Sequence, residues 1–159
     1  MKTDIGITEK NRKAVSDSLS KLLADEFVLY TKTRNAHWNV QGQDFFDKHK
    51  FFEMLYEQSD SLMDRVAERI RQLGATSPAT LKSFLSLTKL KETDGQKNDS
   101  LFFIEDLLND HETIIKEMRD NITPYAEKYK DSGTSDFITG LMEEHEKIAW
   151  LLRAHFLQK

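Results

Sequence analysis

Residues 35–74 read NAHWNVQGQDFFDKHKFFEMLYEQSDSLMDRVAERIRQLG, a chain break followed by a long uninterrupted amphipathic run. Asn39-Val40-Gln41-Gly42-Gln43 supplies the break. Asp44 is placed to cap a helix, with Asp47 three residues on, and that helix runs to Leu73 and stops at Gly74. Upstream, Val15, Leu19, Leu22, Leu23, Phe27 and Tyr30 recur at helical spacing between Glu9 and Asn35, with no Gly or Pro among them. The short connection encourages the two arms to pack as an antiparallel pair.

Downstream, Ser77-Pro78 reads as an N-cap with proline at the first helical position, and Leu81, Phe84 and Leu85 give a short helix one apolar face. The polar run Lys91 to Asp99 is a loop. Leu101, Ile104, Leu107, Leu108, His111, Ile115 and Met118 mark a third long helix ending near Asn121 to Pro124. After Asp131-Ser132-Gly133-Thr134, a fourth carries Phe137, Leu141, Ile148, Leu151 and Leu152 to the C-terminus. The expected fold is all-α: a four-helix bundle with a short extra helix between helices two and three. Such a long crossover is the ferritin-like topology.

Composition agrees. The 159 residues suit one domain, 1–159, and hold 6 Gly, 2 Pro and no Cys, which favours helices and excludes thiolate chemistry. No signal peptide or membrane span is visible, so a cytoplasmic protein is expected and no membrane partner. The net charge of -4 turns the body away from nucleic acid.

The second helix carries His49 with Glu53 and Asp64 with Glu68, each pair at i,i+4 on one stripe. The fifteen residues from His49 to Asp64 span roughly 22 Å, whereas metal–ligand bonds are about 2 Å. One chain cannot close a site from both pairs. Two antiparallel copies crossing at a two-fold axis level with Ser59 can, making two equivalent sites per dimer. His37, at the end of the first helix, can reach the His49 end if the two helices pack as an antiparallel pair, which the short connection encourages. Imidazole with carboxylate suits Fe(II), Mn(II) or Zn(II) alike; the same pairs would also serve as the solvated face of a charge-rich helix.

His37-Trp38-Asn39-Val40-x-Gly42-x-x-Phe45, His49-x-x-Phe52-x-x-x-Tyr56 and Asp64-x-x-Ala67-Glu68-Arg69-Ile70 resemble the signature of the Dps family of mini-ferritins. Trp150 on the last helix agrees. The resemblance implies a ferroxidase centre shared by two subunits, with His37, His49 and Glu53 from one chain and Asp64 and Glu68 from the other. Position 53 is usually Asp in that family and is Glu here. It further implies iron as the metal, hydrogen peroxide in preference to O2 as oxidant, and a ferric mineral core in a hollow homododecamer built from two-fold dimers. Trp38 resembles the family's tryptophan that passes or traps an oxidising electron; plain helix packing is the other reading.

In similar proteins acidic residues line iron-entry pores, which makes Asp136 and Glu127 the candidates here, with Asp131 and Glu143 as neighbours. A mobile basic tail serves DNA binding in that family. Here the tail is 1–8, and residues 1–13 carry Lys2, Lys10, Arg12 and Lys13 against Asp4 and Glu9, so DNA contact is expected to be weak and any nucleoid association depends on it. His111, His145 and His155 are read as packing or surface groups, and the Phe-rich patches as core or subunit contacts.

A haem-bearing or intrasubunit di-iron ferritin needs Glu-x-x-His motifs, and none of the 5 histidines has Glu at that spacing, so no haem is expected. The alternative is a DNA-compacting or interaction shell with little ferroxidase activity. His37, His49, Asp64 and Glu68 together speak against it.

Overall fold

The Thr8 hydroxyl accepts from the Asn11 N–H at 3.3 Å and opens α1, Glu9–Asn39, in a computed structural model that describes residues 3–92 and 97–156. α1 continues past Asn35, carrying His37 in its last turn. Val40 caps it, and Gly42, at φ +135°, makes the turn into α2, Phe45–Gln72. Asp44 takes the N-cap position but makes no capping bond. Its carboxylate instead accepts from Ser100 Oγ at 2.6 Å, tying the hinge to a distant element.

The end of α2 is fixed on three sides. Gly74 N–H donates to Arg71 O and Ala75 N–H to Ile70 O, a Schellman pair with Gly74 at φ +87°. A Cβ there would lie 2.4 Å from Thr3 Oγ1. Arg12 donates from Nε to Leu73 O at 3.1 Å and from Nη1 to Ile7 O at 2.6 Å. Residues 3–8 of the expected tail are thus seated beside the α2 terminus; Met1 and Lys2 lie outside the described residues.

The short helix starts later than the sequence suggests. Thr80, not Ser77, is its N-cap: Thr80 and Ser83 form a reciprocal capping box that opens α3, Leu81–Leu87. Ser77 Oγ is committed to Ala67 O at 2.7 Å, so it cannot serve the helix. Of the expected apolar face only Phe84 is buried, stacked on Phe27 at 4.3 Å between centroids; Leu81 and Leu85 are exposed. Asp25, buried in α1, accepts from Thr88 Oγ1 and the Lys89 N–H and so anchors the crossover. Within the expected loop Lys91 to Asp99, residues 93–96 lie outside the described residues.

Asp99 caps α4, Ser100–Thr123. A π-helical turn follows over Pro124–Lys128, closed by Tyr129 N–H to Pro124 O and pinned by Tyr125 Oη to Ser18 Oγ at 2.7 Å. Asp131 caps α5, Ser132–Arg153, which ends before the C-terminus; residues 157–159 are outside the described residues.

α1 packs along α2 and α4 along α5, with α3 laid on α1 and α1 also meeting α4. Leu19, Leu29, Phe52, Leu62, Ile70, Ile104, Leu107, Ile114, Ile138 and Leu141 lie fully buried between them, each worth about 1.5–3 kcal/mol of transfer free energy. No helix among the described residues is long and apolar enough to cross a membrane. This four-helix bundle with its crossover helix is the ferritin-like fold the sequence suggests.

Candidate metal centre

The hairpin α1–α2 brings the C-terminal turn of α1 beside the N-terminal turns of α2, and there His37 and His49 stack face to face, 3.8 Å between centroids and 21° between planes. His37 Nδ1 lies 2.8 Å from His49 O, and His49 Nδ1 lies 2.8 Å from His37 O. A carbonyl only accepts, so each Nδ1 carries the hydrogen and each Nε2 keeps its lone pair. This is the tautomer and orientation a metal-ligating imidazole needs. Tyr56 supports His37 edge-on at 5.1 Å, and Arg34 in turn lies 3.9 Å over the Tyr56 ring and donates from Nε to Tyr30 Oη at 2.9 Å.

Glu53 sits one turn along α2 from His49 and holds Lys50 Nζ at 2.6 Å. The Lys50 hydrogen bond is the main reason its carboxyl lies below the usual range, with smaller help from the Lys50 charge and from His37 and His49. Glu53 is therefore an anion beside two outward-pointing imidazole lone pairs. Trp38, next to them, is 68% exposed with the Arg34 guanidinium 5.9 Å over its ring, so it is not packed within this chain.

Asp64 and Glu68 are exposed on the far half of α2. Because α2 is one continuous helix, Asp64 stands roughly 22 Å and Glu68 roughly 28 Å along it from His49. Among the described residues no three His, Asp or Glu side chains of one chain are grouped to hold a metal. Ser59, level with the expected two-fold axis, faces the core and bonds Leu55 O at 2.9 Å, so it marks the level of a crossing and not a contact in it.

Of the pore candidates, Asp136, Glu127 and Glu143 are exposed. Asp131 is not: it is 2% exposed, accepts from the Thr134 N–H and Oγ1 and holds Arg69 Nη2 at 3.2 Å. Its role is to cap α5 and tie it to α2. Sequence reasoning missed a second polar cluster. His111 and His145, read as packing or surface groups, are buried together with Glu26 in the bundle interior; a Glu on the apolar stripe of α1 was the available signal.

A bundle of this topology is that of a ferritin-like protein, and the ferritin-like domain model matches residues 16–158. The chain is 37% identical over 147 residues to DNA protection during starvation protein 2 of Bacillus anthracis, covering 92% of this chain and 99% of that one. It is 40% identical over 151 residues to an uncharacterized low temperature-induced protein of Nostoc sp., covering 95% of this chain and 84% of that one. A crystal structure of the DPS protein from Vibrio cholerae O1, described as a member of a broad superfamily of ferritin-like diiron-carboxylate proteins, superposes with TM-score 0.89 at 30% identity, covering 97% of this chain and 96% of that one. The chain belongs to the Dps family of ferritin-like proteins.

Proposed function

We propose that this chain is an iron-storing ferroxidase whose centre is shared by two subunits: His37, His49 and Glu53 of one with Asp64 and Glu68 of a second copy. The observation that carries the proposal is the reciprocal His37–His49 bonding, which presents two Nε2 lone pairs beside the Glu53 anion and leaves the set incomplete within one chain. Iron is the substrate. Two Fe(II) give one electron each to hydrogen peroxide, which takes up two protons and leaves as two waters, so paired oxidation releases no hydroxyl radical. The protein supplies positions and charge, and the iron supplies the redox chemistry. Glu53 and its carboxylate partners offset the charge that rises as Fe(II) becomes Fe(III).

The reading extends to a hollow dodecamer of two-fold dimers that stores the ferric product, with Asp136 and Glu127 at the entry pores, Trp38 as electron donor or trap, and hydrogen peroxide preferred to O2. It also takes in protection of DNA, which the Bacillus anthracis relative's name states of that protein. Direct DNA contact is weak in this reading: Arg12 is buried against Leu73 and Ile7, and Lys13 pairs with Asp17 at 2.6 Å.

Co-assembly tests the shared centre. A His37→Ala/His49→Ala subunit and an Asp64→Ala/Glu68→Ala subunit are each inactive alone in stopped-flow Fe(II) oxidation. Mixed dimers regain one complete site of two, so activity returns on mixing. No recovery in verified mixed dimers would overturn the shared centre.

A further inference from the structure

Three polar groups meet where the bundle should be apolar. Glu26 of α1 and His145 of α5 are each 0% exposed, and His111 of α4 is 1%. His111 Nδ1 lies 2.9 Å from His145 Nδ1, and His145 Nε2 lies 2.8 Å from Glu26 Oε1. Beyond this ion-pair contact neither Glu26 oxygen nor His145 Nε2 has a hydrogen-bond partner among the described residues, so the Nε2–Oε1 contact alone serves those two atoms and Oε2 has none.

Counting protons decides the chain's state. One hydrogen must lie between the two Nδ1 atoms and one between Nε2 and Oε1. If His111 supplies the first and His145 the second, Glu26 is a carboxylate and the cluster holds an uncompensated buried negative charge, which costs several kcal/mol. If His145 supplies the first and His111 keeps its hydrogen on Nε2, Glu26 and His145 share the remaining proton and the cluster is neutral. The neutral arrangement fits a dry core. A further proton has nowhere to go without leaving a net positive charge there.

We infer that the Glu26–His145–His111 chain is an acid-sensitive latch on the bundle, holding α1, α4 and α5 together while it is neutral and loosening them when mild acid adds a proton. Nearby charges are committed elsewhere. On α1, Asp25 accepts from the Thr88–Lys89 segment, and Lys32 holds Asp106 and Asp110 of α4. On α4, Glu117 holds Lys89; on α5, Glu144 holds Arg65 and Glu146 holds Arg119. The residues α2 buries, Phe52, Leu55, Ser59, Leu62, Met63, Val66 and Ile70, are not titratable.

The sign follows from His111, whose pKa is pushed well below the ordinary histidine value by burial first and by His145 second. The unfolded chain binds the proton below about pH 6.5 and the folded chain does not. The His111 contribution to stability is therefore full above about pH 6.5 and falls as the pH drops toward the folded value.

Histidine C2 deuterium exchange, read by mass spectrometry on the assembled protein from about pH 8 to about pH 4, gives the state of His111 without any substitution. Titration of His111 far below free N-acetylhistidine is expected; titration alongside it would overturn the latch. In parallel, the thermal midpoint of the wild type should fall by roughly 3–5 °C per pH unit below about pH 6.5, and the Glu26→Leu/His111→Leu/His145→Leu variant should lose that dependence. Equal slopes in a folded variant would also overturn it.

Discussion

His37 and His49 each donate their Nδ1 hydrogen to the other's backbone carbonyl, both at 2.8 Å. Each ring is thus oriented by the main chain that carries its partner, so the two act as a unit. His49→Ala removes a proposed ligand and also the ring stacked on His37, while the residue 49 carbonyl stays. The expected outcome is loss of fast Fe(II) oxidation close to that of the His37→Ala/His49→Ala double variant, well short of additive, with the assembly unchanged by light scattering. Additive losses would show two independent ligands.

Lys50 pairs with Glu53 of the proposed centre at 2.6 Å. An incoming metal cation competes with it for that carboxylate. Lys50→Gln is expected to tighten Zn(II) or Fe(II) binding by a few-fold, since exposed pairs are worth little, and to weaken its dependence on salt. Competition against a chromophoric chelator measures both. Unchanged affinity would place Glu53 outside the ligand set.

The helix plan is legible in the sequence because apolar spacing and glycine or proline breaks act locally, which is why the Gly74 stop and the break at Asp131-Ser132-Gly133-Thr134 are where the pattern puts them. What is not legible depends on distant partners. Asp44 looks like a cap but answers to Ser100, and Ser77 looks like a cap but answers to Ala67. Asp131 resembles a pore acid until Arg69 and Thr134 are seen around it. His49 and Glu53 can be paired by counting along α2, whereas the reciprocal carbonyl bonds need the α1–α2 register. Glu26 falls on the apolar stripe of α1, whereas its meeting with His145 and His111 depends on how α4 and α5 pack against it.

Asp131 joins two helices, capping α5 through the Thr134 N–H at 2.9 Å and holding Arg69 of α2 at 3.2 Å. Asp131→Ala removes a cap worth about 1 kcal/mol and leaves Arg69, with a side chain 21% exposed, without its carboxylate. A loss of about 2–4 kcal/mol is expected, on the order of the penalty for breaking a largely buried pair, read as a lower midpoint in urea. Iron oxidation per assembled shell should be unaffected. A selective loss of iron uptake at unchanged stability would return Asp131 to the pore.

Gly74 is required twice over, by its φ of +87° and by the Thr3 side chain, whose Oγ1 would lie 2.4 Å from an added Cβ. The two demands can be separated. Gly74→Ala pays for the left-handed backbone, about 1 kcal/mol, and additionally pushes the N-terminal segment off the α2 terminus. Adding Thr3→Gly relieves only the second. Thermal unfolding of the single and double variants is expected to show partial rescue, and limited proteolysis should cut residues 3–8 faster in Gly74→Ala than in the double variant. Full rescue would mean the backbone conformation costs nothing. No rescue, with cutting unchanged from wild type, would mean that Thr3 does not rest on Gly74 in solution.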